Sequence, residues 1–191
     1  MKVIKDKDLI WDTDNYDVIL VGTSIYNMLT QGFQAKMALK YPDIVDVNMS
    51  TPYADTRKYG KCMIIEGKPK IILLYMCAYQ NSLYDVVNYD ALAQCLETVN
   101  DECKGLKVAS TIIGASKFDG GGNKERCLEL MTDKLKDIDL TVYDYEQVTK
   151  RHEIAKFLRS WNELRYIPRW KELNSMAKQK KEILLSLFLK R

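Results

Sequence analysis

Ile113-Gly114-Ala115-Ser116-Lys117-Phe118-Asp119-Gly120-Gly121-Gly122-Asn123 and, earlier, Gln31-Gly32-Phe33-Gln34-Ala35-Lys36-Met37-Ala38-Leu39-Lys40-Tyr41-Pro42 are the two stretches on which the fold turns. Each sets a glycine after a β-rich run and ahead of a helical pattern. Outward-pointing backbone N–H groups and the positive end of a helix dipole meet at such a junction, an arrangement that holds phosphate. Tyr41-Pro42 closes the first helix, because the residue before a proline is driven out of the α region.

Working outward, residues 2–5 read as a short strand, and Asp17-Val18-Ile19-Leu20-Val21 as a buried one, continuous and β-branched. Gly22-Thr23-Ser24 is expected to break it. Residues 61–65 and 70–75 form a hairpin across Glu66-Gly67-Lys68-Pro69, whose residue types suit a turn. In residues 90–104 the apolar positions are Leu92, Cys95, Leu96, Val99 and Cys103, the spacing of an amphipathic helix, and Gly105 stands where a C-terminal cap belongs. Residues 108–113 read as a buried strand. Residues 124–136 repeat the helical stripe with Cys127, Leu130, Met131 and Leu135, and residues 140–143 return as a strand. Strands alternating with helices predict an α/β fold, a mixed sheet flanked by helices, with its ligand at the carboxyl ends of the strands. Both glycine segments belong there.

The chain has 191 residues, 47% of them hydrophobic and 29% charged, with a net charge of +3. That composition describes a soluble globular protein large enough to bury a core. No apolar run reaches the roughly 18–20 residues that cross a bilayer, and Met1-Lys2-Val3-Ile4-Lys5-Asp6 has no signal-peptide core. A cytoplasmic protein is expected, in the host cytoplasm or a virion if the source is viral. The five cysteines are odd in number and lack a C-x-x-C pair, so buried free thiols are expected. His152 is the single histidine, which argues against zinc sites and His-based dyads. No metal or cofactor is expected. Gly120-Gly121-Gly122-Asn123-Lys124 is not a P-loop, since Glu125 follows the lysine.

Taken together, the glycine segments and the strands around them resemble a macro domain, the module that holds ADP-ribose, over about residues 2–146. The small, often phage-borne macro domains are the nearest pattern, with Gln31-Gly32-Phe33 and Met37 to Pro42 in the first loop and Leu140-Thr141-Val142-Tyr143-Asp144 after the second. The resemblance implies that Asp8 accepts the amino group of adenine. It implies that Gly32, Phe33, Gly114, Ser116, Gly120, Gly121 and Gly122 surround the phosphates and distal ribose. A surface turn cap is the plainer role for Asp8, and turns needing positive φ the plainer role for the glycines. Gly22-Thr23-Ser24 replaces the Asn-rich stretch of many macro domains. Met76 and Cys77 stand where related hydrolases carry a lysine, and neither forms a Schiff base. Asp119, accepted with a one-residue shift, is the candidate catalytic acid or base.

Residues 147–191 form the second part of the expected organisation, a basic amphipathic helical tail after a macro-like domain at 1–146. From Val148 to Arg191 twelve Lys/Arg face four Glu, while the rest of the chain is net acidic. Trp161, Arg165, Arg169 and Trp170 are the candidate partner-binding residues, because Trp and Arg dominate interface hot spots. A protein partner suits this tail better than nucleic acid, since glutamates interrupt its positive charge; helices packing on the body remain the structural alternative. Two functions stay open: a module binding ADP-ribose or a related nucleotide phosphate, and an inactive macro-fold structural subunit of a phage virion or similar assembly, docked through its tail.

Overall fold

A computed structural model describes residues 1–78, 85–116 and 118–145. The expected tail, the boundary at 146/147 and the four partner-binding candidates fall outside these residues.

The described chain runs β1 (Lys2–Lys5), β2 (Val18–Ser24), α1 (Gly32–Lys40), α2 (Asp43–Met49), β3 (Cys62–Ile65), β4 (Lys70–Cys77), α3 (Tyr89–Glu102), β5 (Lys107–Thr111), α4 (Lys124–Lys134) and β6 (Asp139–Asp144). Six strands make one sheet in the order β1-β6-β5-β2-β4-β3. All neighbours are parallel except β3 with β4, the predicted hairpin. Five strands therefore present their carboxyl ends at one edge.

Alternation along β2 divides the core. Val18 and Leu20 face a layer that contains Leu92, Cys95, Leu96 and Val99 of α3 with Cys127 and Met131 of α4. Ile19 and Val21 face Phe33, Met37 and Ala38 of α1 and Ile44 of α2. A strand covered on both faces needs a continuous apolar run, as the sequence has there. Each position of the predicted α3 stripe, Leu92 through Cys103, is buried. Leu92→Ala should therefore cost about 2–5 kcal/mol, the range for emptying a fully buried leucine site, read by urea unfolding.

Gly22-Thr23-Ser24 does not break β2, which continues through Ser24 beside β4. The physical reason is space. A Cβ at Gly22 would lie 2.8 Å from Met76 Cε, 2.9 Å from Asp119 Oδ1 and 3.0 Å from Ile113 Cγ2. The glycine serves close packing within a strand. Tyr41-Pro42 does end α1, and Pro42 is also the N-cap of α2. The five cysteines are free; Cys62 is half-buried and the others are buried. No helix among the described residues is long and apolar enough to cross a membrane.

Candidate functional site

Gly32 opens α1 with φ +57°, and a Cβ there would meet Phe118 Cβ at 3.0 Å. From the first turn of this helix, Gln34 Nε2 donates to Asp119 Oδ1 at 3.1 Å. The other carboxylate oxygen accepts the Gly114 N–H at 2.9 Å. One buried side chain thus ties together two glycine segments that are remote in sequence. Asp119 is only 8% exposed, and burial raises its carboxyl to about 7 against the opposing pull of the Gly114 and Gln34 hydrogen bonds. Such a group exchanges protons near neutrality, although both of its oxygens are already bonded to the protein.

The second glycine segment is also closed on itself. Gly122 N–H donates to Gly114 O at 2.8 Å, while Ser116 O accepts from Asp119 N–H at 2.7 Å and Gly121 N–H at 2.9 Å. Ser116 Oγ accepts from Phe118 N–H at 3.2 Å. Missing side chains here make a socket for Val87. Cβ atoms at Gly114, Gly120 and Gly122 would lie 3.2, 2.6 and 2.9 Å from its Cγ2. These glycines therefore have a packing role that stands beside any ligand role. At the start of α4, Asn123 caps the helix by accepting from Arg126 N–H, and its own N–H donates to Tyr89 Oη at 2.8 Å. Tyr89 bonds in turn to Asp85, and its ring lies 3.7 Å from the Arg126 guanidinium carbon.

Asp8 follows β1 at the same edge. Its Oδ1 accepts from Ile10 N–H at 3.2 Å, capping a short turn at Leu9–Trp11, and its Oδ2 pairs with Lys36 of α1. The plainer cap role is thus filled, and the ion pair with Lys36 is one the sequence reading did not contain. Phe33 is buried in the core beside Met37, which leaves its backbone for any ligand. At the end of β2 the buried hydroxyls of Thr23 and Ser24 have no hydrogen-bond partner among the described residues. Cys77, in the segment where related hydrolases carry a lysine, is buried and donates to Thr23 O at 3.7 Å; burial and then the Asp119 charge push its thiol up. Lys117 is outside the described residues.

A buried lysine holds the connection between β2 and α1. Lys58 Nζ donates to Ile25 O at 3.0 Å, Thr51 Oγ1 at 3.0 Å and Pro52 O at 3.1 Å, and bonds to Asn27 Oδ1. It also lies 4.3 Å from the Tyr75 ring centroid, and burial lowers its amine to about 8. Nothing in Thr56-Arg57-Lys58-Tyr59 distinguishes this lysine from an exposed one.

No protein-family model and no curated protein sequence matches this chain. Solved structures do. The macrodomain of Mycobacterium tuberculosis DarG superposes with a TM-score of 0.57 at 17% identity, covering 75% of this chain and 97% of that one. Thermosipho africanus DarTG in complex with ADP-ribose gives a TM-score of 0.60 at 14% identity, over 83% of this chain and 46% of that one. A Trypanosoma brucei macrodomain in complex with ADP-ribose gives 0.54 at 10% identity, over 82% and 68%. At these identities the likeness speaks for architecture: a six-stranded mixed sheet between helices, in the fold of the macro domains.

Proposed function

We propose that this chain binds ADP-ribose or a related nucleotide phosphate along the carboxyl edge of its sheet. The observation that carries the reading is the Gln34–Asp119–Gly114 bridge, which sets two helix-opening glycine segments side by side. Backbone N–H groups at helix starts favour anions, and two such starts suit a diphosphate. In this reading Asp8 takes the base. Gly32 and the backbone of Phe33 hold one phosphate, and Ser116 and Gly120 the other with the distal ribose, while Gly114, Gly121 and Gly122, whose N–H groups bond within the protein, shape the loop for close approach. Two solved relatives in fold were determined with ADP-ribose, which supports this choice of ligand.

Hydrolysis is secondary in this proposal. Asp119 is the candidate acid or base, with its proton affinity near neutrality and its seat between the two segments. Met76 and Cys77 supply no amine, so lysine-dependent chemistry is not part of it.

Isothermal titration with ADP-ribose, with AMP as control, tests the reading. Micromolar binding selective for ADP-ribose is expected, with loss of that binding in Gly32→Val, where the side chain would press on Phe118. A folded wild-type sample that releases no binding heat with ADP-ribose removes the nucleotide reading.

A further inference from the structure

Building on the nucleotide binding proposed above, we infer that Lys36 reads the base of the bound nucleotide jointly with Asp8. Three lysines of this corner pair with aspartates, and Lys36 differs from the other two. Lys40 Nζ is shared among Thr13 Oγ1 at 2.6 Å, both Asp14 oxygens at 3.1 Å and Ile10 O at 3.4 Å. Lys7 pairs with Asp12 and is 55% exposed. Lys36 is 14% exposed, and Asp8 is its single hydrogen-bond partner among the described residues. An ammonium has three N–H donors, and among the described residues Asp8 takes one of them. A nearly buried cation fixed beside a carboxylate is a donor–acceptor pair waiting for its complement.

The surroundings suit a flat heterocycle. Trp11, on the turn that Asp8 caps, is 51% exposed, and Tyr145, whose ring centroid lies 5.6 Å from Lys36 Nζ, is 37% exposed. Exposed aromatic rings provide stacking surfaces for bases. The Watson–Crick edge of adenine presents an amino donor at N6 next to an acceptor at N1. Asp8 has lone pairs for the first, and Lys36 has N–H groups for the second. The nearby backbone N–H of Ile10 is not available for N1, because it already donates to Asp8 Oδ1.

The test uses the full chain and two probes, ADP-ribose and its 1,N6-etheno derivative, in which a bridge blocks N1 and N6 together. Wild type is expected to prefer ADP-ribose by roughly tenfold or more, in line with a site whose polar groups would otherwise stay unpaired. In Lys36→Met that preference should shrink to the part that Asp8 supplies, through a larger loss of ADP-ribose binding than of etheno binding. Lys36→Arg keeps a donor beside Asp8 and should keep most of the preference, which separates recognition from mere folding. Equal wild-type affinities for the two probes, or a Lys36→Met protein that keeps its preference, overturns the role of Lys36 and leaves nucleotide binding standing. Absence of binding to both probes removes the pocket itself, and the inference with it.

Discussion

Raising the pH from about 4 to about 7.5 is expected to destabilise this protein, and Asp119→Asn is expected to remove most of that loss. Folding raises the Asp119 carboxyl from 3.8 to about 7, so the folded chain binds this proton more tightly than the unfolded one. The favourable contribution is complete below the unfolded value and is lost as pH climbs through the folded value. A shift of roughly three units corresponds to about 4 kcal/mol, among the largest effects of any single group here. Asparagine mimics the neutral acid, with the Gln34 amide turned over to keep the bond between them. Asp119→Ala removes the acceptor of two buried donors and should cost about 2–3 kcal/mol at pH 5. Urea unfolding at a series of pH values makes both measurements. The series stops at pH 7.5, because the Lys58 amine, lowered to about 8, titrates beyond it. Asp14, held below its ordinary value by Lys40 and Tyr41, acts below the window. Equal slopes for wild type and Asp119→Asn would place the titrating group elsewhere.

Gly120→Val should destabilise the fold by about 2–6 kcal/mol and abolish ADP-ribose binding. Two costs add at this position. Its φ of +110° is closed to branched side chains, which is worth about 1–3 kcal/mol. The new Cβ would also lie 2.6 Å from Val87 Cγ2, so the side chain overpacks a filled socket at a further cost of about 1–3 kcal/mol. Gly105→Ala is the control, because φ is +75° there but a Cβ meets nothing within 4 Å. Strain alone should cost that variant about 1 kcal/mol. Similar losses in Gly120→Val and Gly105→Ala would mean that the Val87 socket is not tight.

The contrast between these glycines explains what was legible in the sequence. A glycine announces missing Cβ volume, not the use made of the space. Gly32 and Gly114 both adopt positive φ, as expected of a glycine between a strand and the helix that follows it. Gly22 was read as a strand break because its packing neighbours, Met76, Ile113 and Asp119, come from remote parts of the chain. Periodicity identified α3 and α4, whose stripes are local, and β2, whose run is continuous. Pro42 showed where α1 stops but not that α2 starts on it. Asp8 was flagged through resemblance, whereas its partner Lys36 lay hidden among the surface-like charges of α1. Long-range pairing of that kind leaves no periodic trace. Asp119 was singled out as an acid or base; its bridging role appears only when Gln34 and Gly114 are brought to it.

The seam between β1 and β6 bears on how the molecule is made. Lys2 lies opposite Thr141 and Lys5 opposite Asp144. During synthesis β1 is made before the strand it joins, which does not exist until Asp144 has been added. Contacts so distant in sequence form slowly, because a long loop must close before they give anything back. Meanwhile β2 can pair with β4, and β5 can dock beside β2, so the centre of the sheet assembles during synthesis. The waiting strand is four residues long and carries Lys2 and Lys5, a combination poorly suited to pairing with a neighbouring nascent chain. Synthesis therefore settles β1 only after the five strands that follow it in the sequence.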